Sequence, residues 1–375
     1  MTETCDFLVV GGGIAGAAAA FFLAENGDVV VLEREGAPGY HATGRSAALY
    51  TINFGPPVVR KLAGASGAFF ADPPTGFAEH PLTSPRGALT FARPGQEDAL
   101  AALLDDFRTF DDGARGLDAR ETRARCPFLR SDQVIGAVYE SEVRDLDVHA
   151  LLTGYLKGLR ARGGRVATDA DVVAIDRAAD GRWRAETRSG AAFAAPVIVN
   201  AAGAWADEIA AMAGIAPIGL VPKRRTALTF DPPPGLDPAK LPLVGDLDDS
   251  LYLKPEGGRL MASPADATPS PPCDAQPEEL DVAITIDRVE RLTTLPVGQI
   301  AHRWAGLRSF VADGLPVVGM APEADGFLWL AGQGGYGIET SPAMARIATA
   351  LATGHPFPAE IVDRGVAPAA LAPDR

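Results

Sequence analysis

Residues 5–35 read CDFLVVGGGIAGAAAAFFLAENGDVVVLERE, and the order of parts in this stretch decides the fold. Phe7 to Val10 form an apolar run that reads as a buried parallel strand. Gly11, Gly13 and Gly16 then fit the spacing G-x-G-x-x-G. Ala15 to Leu23 read as a helix, Asn26-Gly27 as its stop, and Val29 to Leu32 as a second strand. Glu33 ends that strand, about 20 residues after the glycines, as a dinucleotide fingerprint requires. Each part has a physical role. Gly11 makes the tight turn, Gly13 lets backbone approach a pyrophosphate, and Gly16 lets helix and strand pack closely. The helix N-terminus around Ile14 and Ala15 offers free N–H groups and a positive dipole end to phosphates. Glu33 can accept hydrogen bonds from ribose hydroxyls, and a carboxylate there disfavours a 2′-phosphate. The unit is a dinucleotide site, but by itself it does not separate FAD from NAD.

The chain has 375 residues, too many for one simple core, so two domains are expected. Hydrophobic residues make up 47% and charged residues 22%, the profile of a globular protein. The formal net charge is −14, which argues against nucleic acid and against anionic membrane surfaces. Cys5, Cys126 and Cys273 are far apart and odd in number, so neither a disulfide framework nor zinc spacing is present. The N-terminus carries no basic region of a signal peptide, and no apolar stretch approaches the roughly 18 residues of a transmembrane helix. A cytoplasmic place is expected, with a peripheral one at the inner membrane as the alternative. His80, His149, His302 and His355 read as ordinary polar residues, and no metal site is expected.

Downstream, "GYHATGRSAALYT" at 39–51 is small and polar with one arginine. "ADVVAID" at 170–176 reads as a strand, and residues 194–214 as a buried strand, a glycine turn and a helix. The block 306–354 contains a strand from Phe327 to Ala331, the turn Gly334-Gly335-Tyr336-Gly337, and a helix from about Ser341. The expected fold class is α/β: a Rossmann-like nucleotide domain from 1–51, 146–222 and 306–375. It is interrupted by a mixed-sheet α+β domain from 52–145 and 223–305. "FDPPPGLDPAKLP" and "ASPADATPSPPCDAQP" read as proline-rich surface loops of the second domain.

At this point the sequence resembles the D-amino-acid oxidase-like family of FAD oxidoreductases, which includes glycine oxidase, sarcosine oxidase and bacterial D-amino acid dehydrogenases. Within it, the segments "VLEREGAPGYHATGRSAA", "VNAAGAWAD", "PKRRTA", "WAGLRSFVADG" and "GQGGYGIETS" look like those of the D-arginine dehydrogenase type. The resemblance implies FAD lying extended, with its adenosine near Glu33, Arg34 and Val173. Its pyrophosphate would lie on the Gly13–Ala15 turn, with Ala202, Gly203 and Trp205 nearby. Its ring system would lie near Arg45, Ser46, Ala47 and the turn Gly335, Tyr336, Gly337, Ile338, Glu339 and Thr340. The last helix would point its positive end at the ring. His41 stands where some distant relatives carry a flavin-linking histidine. The D-arginine dehydrogenase type keeps a histidine there without a bond, so non-covalent FAD is the expectation.

The resemblance also implies a substrate end. Arg308 would clamp an α-carboxylate in two parallel hydrogen bonds, with the Tyr252 hydroxyl as a second donor and Arg225 as another substrate-side cation. The departures are informative. Ala88 stands where arginine-acting relatives have a glutamate, Leu49 where they have a histidine, and Phe54 where a tyrosine covers the substrate. Thr51 is kept. Glu339 replaces a glutamine and could restore one negative charge. A guanidinium buried without a partner costs several kcal/mol, so neutral, apolar D-amino acids are expected over D-Arg and D-Lys.

The implied reaction is oxidative deamination: hydride passes from Cα to flavin N5, and the imino acid hydrolyses to a 2-keto acid and ammonia. The partners would be a small-molecule amino acid and an electron acceptor, quinone or O2. Alternatives are glycine, sarcosine or another secondary amine, a 2-hydroxy acid, or a flavin subunit with no turnover of its own.

Overall fold

A computed structural model describes residues 2–111 and 113–375. Its first large sheet runs in the order Arg165–Ala167, Val29–Leu32, Phe7–Val10, Val197–Asn200, Phe327–Ala331 and Val317–Met320. Neighbours are parallel except the last pair. The four central strands are apolar runs because both faces are covered, except that Val197–Asn200 ends in buried Asn200, whose Nδ2 donates to Ala206 O. Val9, Val31, Val199 and Leu328 point to one side, against the helices Ile14–Leu23 and Ser341–Ala352. Leu8, Val30, Ile198 and Trp329 point to the other, against Trp183, Phe193 and Ile209. This is the two-residue period of a strand, read on two buried faces.

The strands expected at Phe7–Val10, Val29–Leu32 and Phe327–Ala331 are present with those bounds, and the helix expected from about Ser341 starts there. The first helix begins one residue earlier than expected, at Ile14. The strand near 170–176 runs from Val172 to Arg177. It belongs to a separate four-stranded sheet with Trp183–Thr187, Ala192–Ala195 and Thr2–Thr4.

The second large sheet is mixed and has nine strands. Its backbone is the antiparallel pair Val221–Phe230 and Ile300–Phe310, aligned from Val221↔Phe310 to Phe230↔Ile300. The domain cuts expected after 222 and after 305 therefore fall inside continuous strands. The strand pairing continues on both sides of each position, with Pro222 opposite Ser309 and Ala305 opposite Thr226. Helix Glu279–Leu292 buries Val282, Val289 and Leu292 against Leu228, Phe230, Leu253 and Leu260 of this sheet. The proline-rich segment 262–277 is not simply a surface loop. Thr268–Pro269 pairs with Lys223 and Arg224, and Ala275 is buried. No helix among the described residues is long and apolar enough to cross a membrane.

Ile198 tests the layer arrangement. It is fully buried between Leu8 and Phe327 in the parallel ladder. Ile198→Ala should cost about 2–5 kcal/mol, the transfer term plus the cavity left in a layer pinned on both faces. Urea unfolding measures it; a loss below about 1 kcal/mol would show a loosely packed centre.

Candidate functional site

The carboxyl ends of the parallel strands open into one long cavity. Gly11 ends the first strand with φ +107°, and a Cβ there would lie 2.4 Å from the Ala201 carbonyl oxygen. A Cβ at Gly16 would lie 1.9 Å from the Gly11 carbonyl oxygen. Both glycines are thus required by backbone approach, so Gly16 packs strand on helix and does not itself line the cavity. Gly13, Ile14 and Ala15 do line it. The Ile14 N–H is satisfied by Thr43 Oγ1 at 2.9 Å.

Glu33 ends the second strand and is 8% exposed. Its Oε2 accepts from Gly12 N at 2.8 Å and its Oε1 from Glu35 N at 2.9 Å. Burial raises its carboxyl above the usual range, and those two N–H donors oppose the rise. Glu33 therefore enters the cavity wall in a fixed orientation. Arg34 lies 4.1 Å over the Trp205 ring, and His41 shares Glu35 Oε1 at 2.8 Å while its ring packs on Trp205. That hydrogen bond holds the Glu35 carboxyl below its ordinary range. Ala202, Gly203 and Trp205 join the same wall. Val172 lines this end of the cavity, whereas Val173 is 39% exposed and lies at a register shift between Val172 and Ala174 that leaves it unpaired.

Two polar atoms in residues of the wall are buried without a partner among the described residues: His41 Nδ1 and Gln333 Nε2. Buried polar groups are nearly always hydrogen-bonded. With the open glycine turn and the fixed carboxylate of Glu33, these orphans fit an elongated, polar dinucleotide such as FAD.

Arg45 holds the middle of the cavity, where Ser46 and Ala47 also line it. Its Nη1 donates to Ala275 O at 2.8 Å and Ala305 O at 3.0 Å, and its Nη2 pairs with Asp274. The Tyr40 hydroxyl reaches the same aspartate at 3.4 Å. The segment read as a proline-rich surface loop is thus a strap that brings Cys273 and Ala275 into the wall. Its composition carried no sign of this; the pairing partner is 229 residues away.

At the far end, alternation along the long strand sorts "PKRRTA". Arg224 faces the helix side and pairs with Glu278 and Asp281. Arg225 faces the cavity, donating its Nε to Asp266 O at 2.7 Å. Arg225 sits opposite Gly306, and Lys223 opposite Arg308, so Arg225 and Arg308 are diagonal neighbours on one face. Tyr252 joins them, its ring 6.0 Å from the Arg225 guanidinium. Arg308 has neither a side-chain hydrogen bond nor an ion pair among the described residues. Burial lowers its pKa from the ordinary value, Tyr252 and Asp249 oppose that, and Arg225 adds to it.

The other expected substrate residues are not in this wall. Leu49 lies in a short strand pairing Asp145. Phe54 is 44% exposed and packs on Tyr336 at 5.3 Å between centroids. Ala88 is buried opposite Glu140. Thr51 donates its N–H to Glu339 Oε2 at 3.3 Å. Gly335, Gly337 and Ile338 line the cavity, but Tyr336, Glu339 and Thr340 do not. Thr340 turns inward, its hydroxyl donating to Tyr336 O at 2.8 Å, at the start of helix Ser341–Ala352. Among the described residues no cluster of three His, Cys, Asp or Glu could hold a metal ion.

Glu339 gives a pH test. Burial raises its carboxyl well above the ordinary value, opposed by the Thr51 N–H and by Arg308. The folded state therefore holds this proton more tightly than the unfolded chain. That contribution to stability is complete below the unfolded carboxylate value and is lost as pH rises through the folded one. Between about pH 5 and about pH 8 the wild type should lose more stability than Glu339→Gln, measured as Tm. Equal losses would place the Glu339 carboxylate in water.

The chain matches the model of the family described as FAD dependent oxidoreductase over residues 6–351. It is 24% identical to mitochondrial sarcosine dehydrogenase of Mus musculus over 344 residues, 87% of this chain and 37% of that protein. It is 28% identical over 399 residues to the bifunctional tRNA 5-methylaminomethyl-2-thiouridine biosynthesis protein of Burkholderia pseudomallei, covering 96% of this chain and 58% of that one. The chain therefore spans between about a third and three fifths of the length of these relatives. Glycine oxidase from Geobacillus kaustophilus shares the fold, with a TM-score of 0.80 at 22% identity over 95% of this chain and 96% of that one. The glycine turn, the oriented Glu33 and the match across nearly the whole length agree: the chain belongs to the FAD-dependent oxidoreductase family that contains D-amino-acid oxidase.

Proposed function

We propose that the protein oxidises the Cα–N bond of a neutral D-amino acid with non-covalently held FAD. The observation that carries this reading is Arg308, a guanidinium in the cavity wall with no carboxylate partner among the described residues. A partly buried cation left unpaired is costly unless a ligand completes it. A carboxylate does so with two parallel hydrogen bonds. Tyr252 adds a hydroxyl donor, and Arg225 a second positive charge.

These residues also act on the amine. An amino acid enters with its nitrogen protonated, and two nearby guanidiniums disfavour that charge. Arg225 and Arg308 therefore ease loss of the ammonium proton, with Asp249 as the opposing group. FAD, when bound, supplies the hydride acceptor that leaves an imine, which water hydrolyses to a 2-keto acid and ammonia. The chain's work is to hold, orient and neutralise the substrate.

The D configuration rests on the likeness of the five segments quoted above to D-amino acid dehydrogenases. The preference for a neutral side chain rests on the lining beside Arg308, where Arg225, Tyr252, Gln333 and Gly335 stand and no carboxylate joins that part of the wall among the described residues. Glu140, opposite Ala88, is already the acceptor for Asn53 and Thr51. The engagement of His41 with Glu35 supports FAD held without a bond. A second reading, a secondary or N-methylated amine, is favoured by the similarity to sarcosine dehydrogenase.

Anaerobic mixing of the flavin-loaded protein with D- and L-amino acids, glycine and sarcosine, followed by loss of flavin absorbance, separates these readings. Neutral D-amino acids should bleach fastest and D-Arg slowly; fast bleaching by sarcosine alone would select the second reading. Arg308→Met should lower kcat/KM about 100-fold or more, since hydrogen bonds to charged groups contribute ~1.5–3 kcal/mol each. A loss below about fivefold would remove Arg308 from the substrate. Acid precipitation should release the yellow colour into solution.

A further inference from the structure

Loop 51–55 ties two buried acids together. At one end the Thr51 N–H meets Glu339. The Thr51 hydroxyl and Asn53 Nδ2 donate to Glu140 Oε1 at 3.3 and 2.9 Å. At the other end Arg60 Nε donates to Gly55 O at 2.8 Å. Between these anchors the loop presses on the cavity turn. Phe54 meets the Tyr336 ring, and a Cβ on Gly55 would lie 2.7 Å from Tyr336 Cε1. Tyr336 follows Gly335, where a Cβ would lie 3.0 Å from Arg308 Nη1. A line of direct contacts thus runs from Glu140 to Arg308.

Glu140 has no part in the chemistry above, yet it is only 6% exposed and forms no ion pair among the described residues. Burying an ionised acid is costly unless it is paired or hydrogen-bonded, and among the described residues the Glu140 carboxyl accepts only from Asn53 and Thr51. The Asn53 side chain depends on it: Asn53 is 3% exposed, and its Oδ1 has no partner. Glu140 is therefore the only side-chain anchor of that amide among the described residues.

We propose that Glu140 is a positioning residue for the substrate end: through Asn53 and Thr51 it holds loop 51–55, and with it Phe54, against Tyr336 beside Arg308. The word substrate rests on the reading of Arg308 given above; the loop anchoring does not. The loop offers Glu140 only neutral donors. The charged groups around it are Asp111, beyond helix Glu97–Arg108, and Arg60 on helix Pro57–Ala71. Glu339 is linked to it through Thr51. Burial pushes the Glu140 carboxyl up to about 7, against the hydrogen bonds from Asn53 and Thr51; Asp111 adds to the rise and Arg60 opposes it. Protonated, Glu140 accepts from Asn53 and Thr51 without the cost of a buried charge. Ionised, it favours an opened loop in which water reaches the carboxylate, because the closed loop holds the proton more tightly than the open one. The order of the loop should therefore fall as Glu140 ionises.

Hydrogen exchange of the flavin-loaded protein at about pH 6 and about pH 8, corrected for the intrinsic pH effect, tests the proposal. In the wild type, protection of the amides of 51–55 should fall several-fold as pH rises through about 7. Glu140→Gln keeps the shape and the acceptor but cannot ionise, so its protection should stay at the low-pH level. Asn53→Ala, with Glu140 in place, should lose most of the response. With whichever amine reduces the flavin, KM should change over the same pH interval in the wild type and not in Glu140→Gln, with kcat changing less. An unaltered pH response in either variant, or none in the wild type, overturns the proposal. If no amine reduces the flavin, the functional reading falls while the exchange result still decides the role of Glu140.

Discussion

The close approach of Gly11 to the Ala201 carbonyl, with Gly16 against the Gly11 carbonyl, is the contact on which the rest of the molecule depends. It lets the first helix leave the sheet at the carboxyl edge without pushing apart strands Phe7–Val10 and Val197–Asn200. With those strands in register, the edge stays open as a trough. A methyl group at either glycine would meet backbone, which cannot move aside without breaking the parallel ladder. The cofactor-binding shape is thus a consequence of two missing side chains, and the apolar layers on both faces hold it rigid.

Charge is distributed against the overall composition. The chain carries a net −14, yet the cavity ends at two guanidiniums on one face of a two-stranded ladder. Strand alternation does the sorting. Arg224 is neutralised by Glu278 and Asp281 under the helix, while its neighbour Arg225 is turned to the cavity. Gly306, opposite Arg225, leaves that face without a side chain to fill it. One residue of register slip would exchange the paired arginine for the unpaired one.

The nucleotide half was legible because doubly buried parallel strands are short uninterrupted apolar runs, and those at 7–10, 29–32 and 327–331 have no other reading. The second sheet was not legible in the same way. Its pairings join residues such as Val221 and Phe310, and strand pattern does not say which partner a strand takes. The cavity wall was partly legible: the glycine fingerprint pointed to Glu33, and the resemblance to Arg45, Arg225, Tyr252 and Arg308. Resemblance carried over positions but not side-chain directions. Hence Val173, Leu49, Thr51, Phe54 and Ala88 stand near the site without forming its wall. The strap at 273–275 was hidden because prolines signal a loop without saying what the loop lies on.

The cavity wall draws on Val10 near one end of the sequence and on Ile338 near the other, with the strap at 273–275 laid across its middle. During synthesis on the ribosome, the glycine turn emerges early and waits for more than three hundred further residues before its partners exist. No nascent fragment can hold the cofactor in its final grip. A bound FAD would therefore tie these distant segments together, and its binding would stabilise the folded state by mass action.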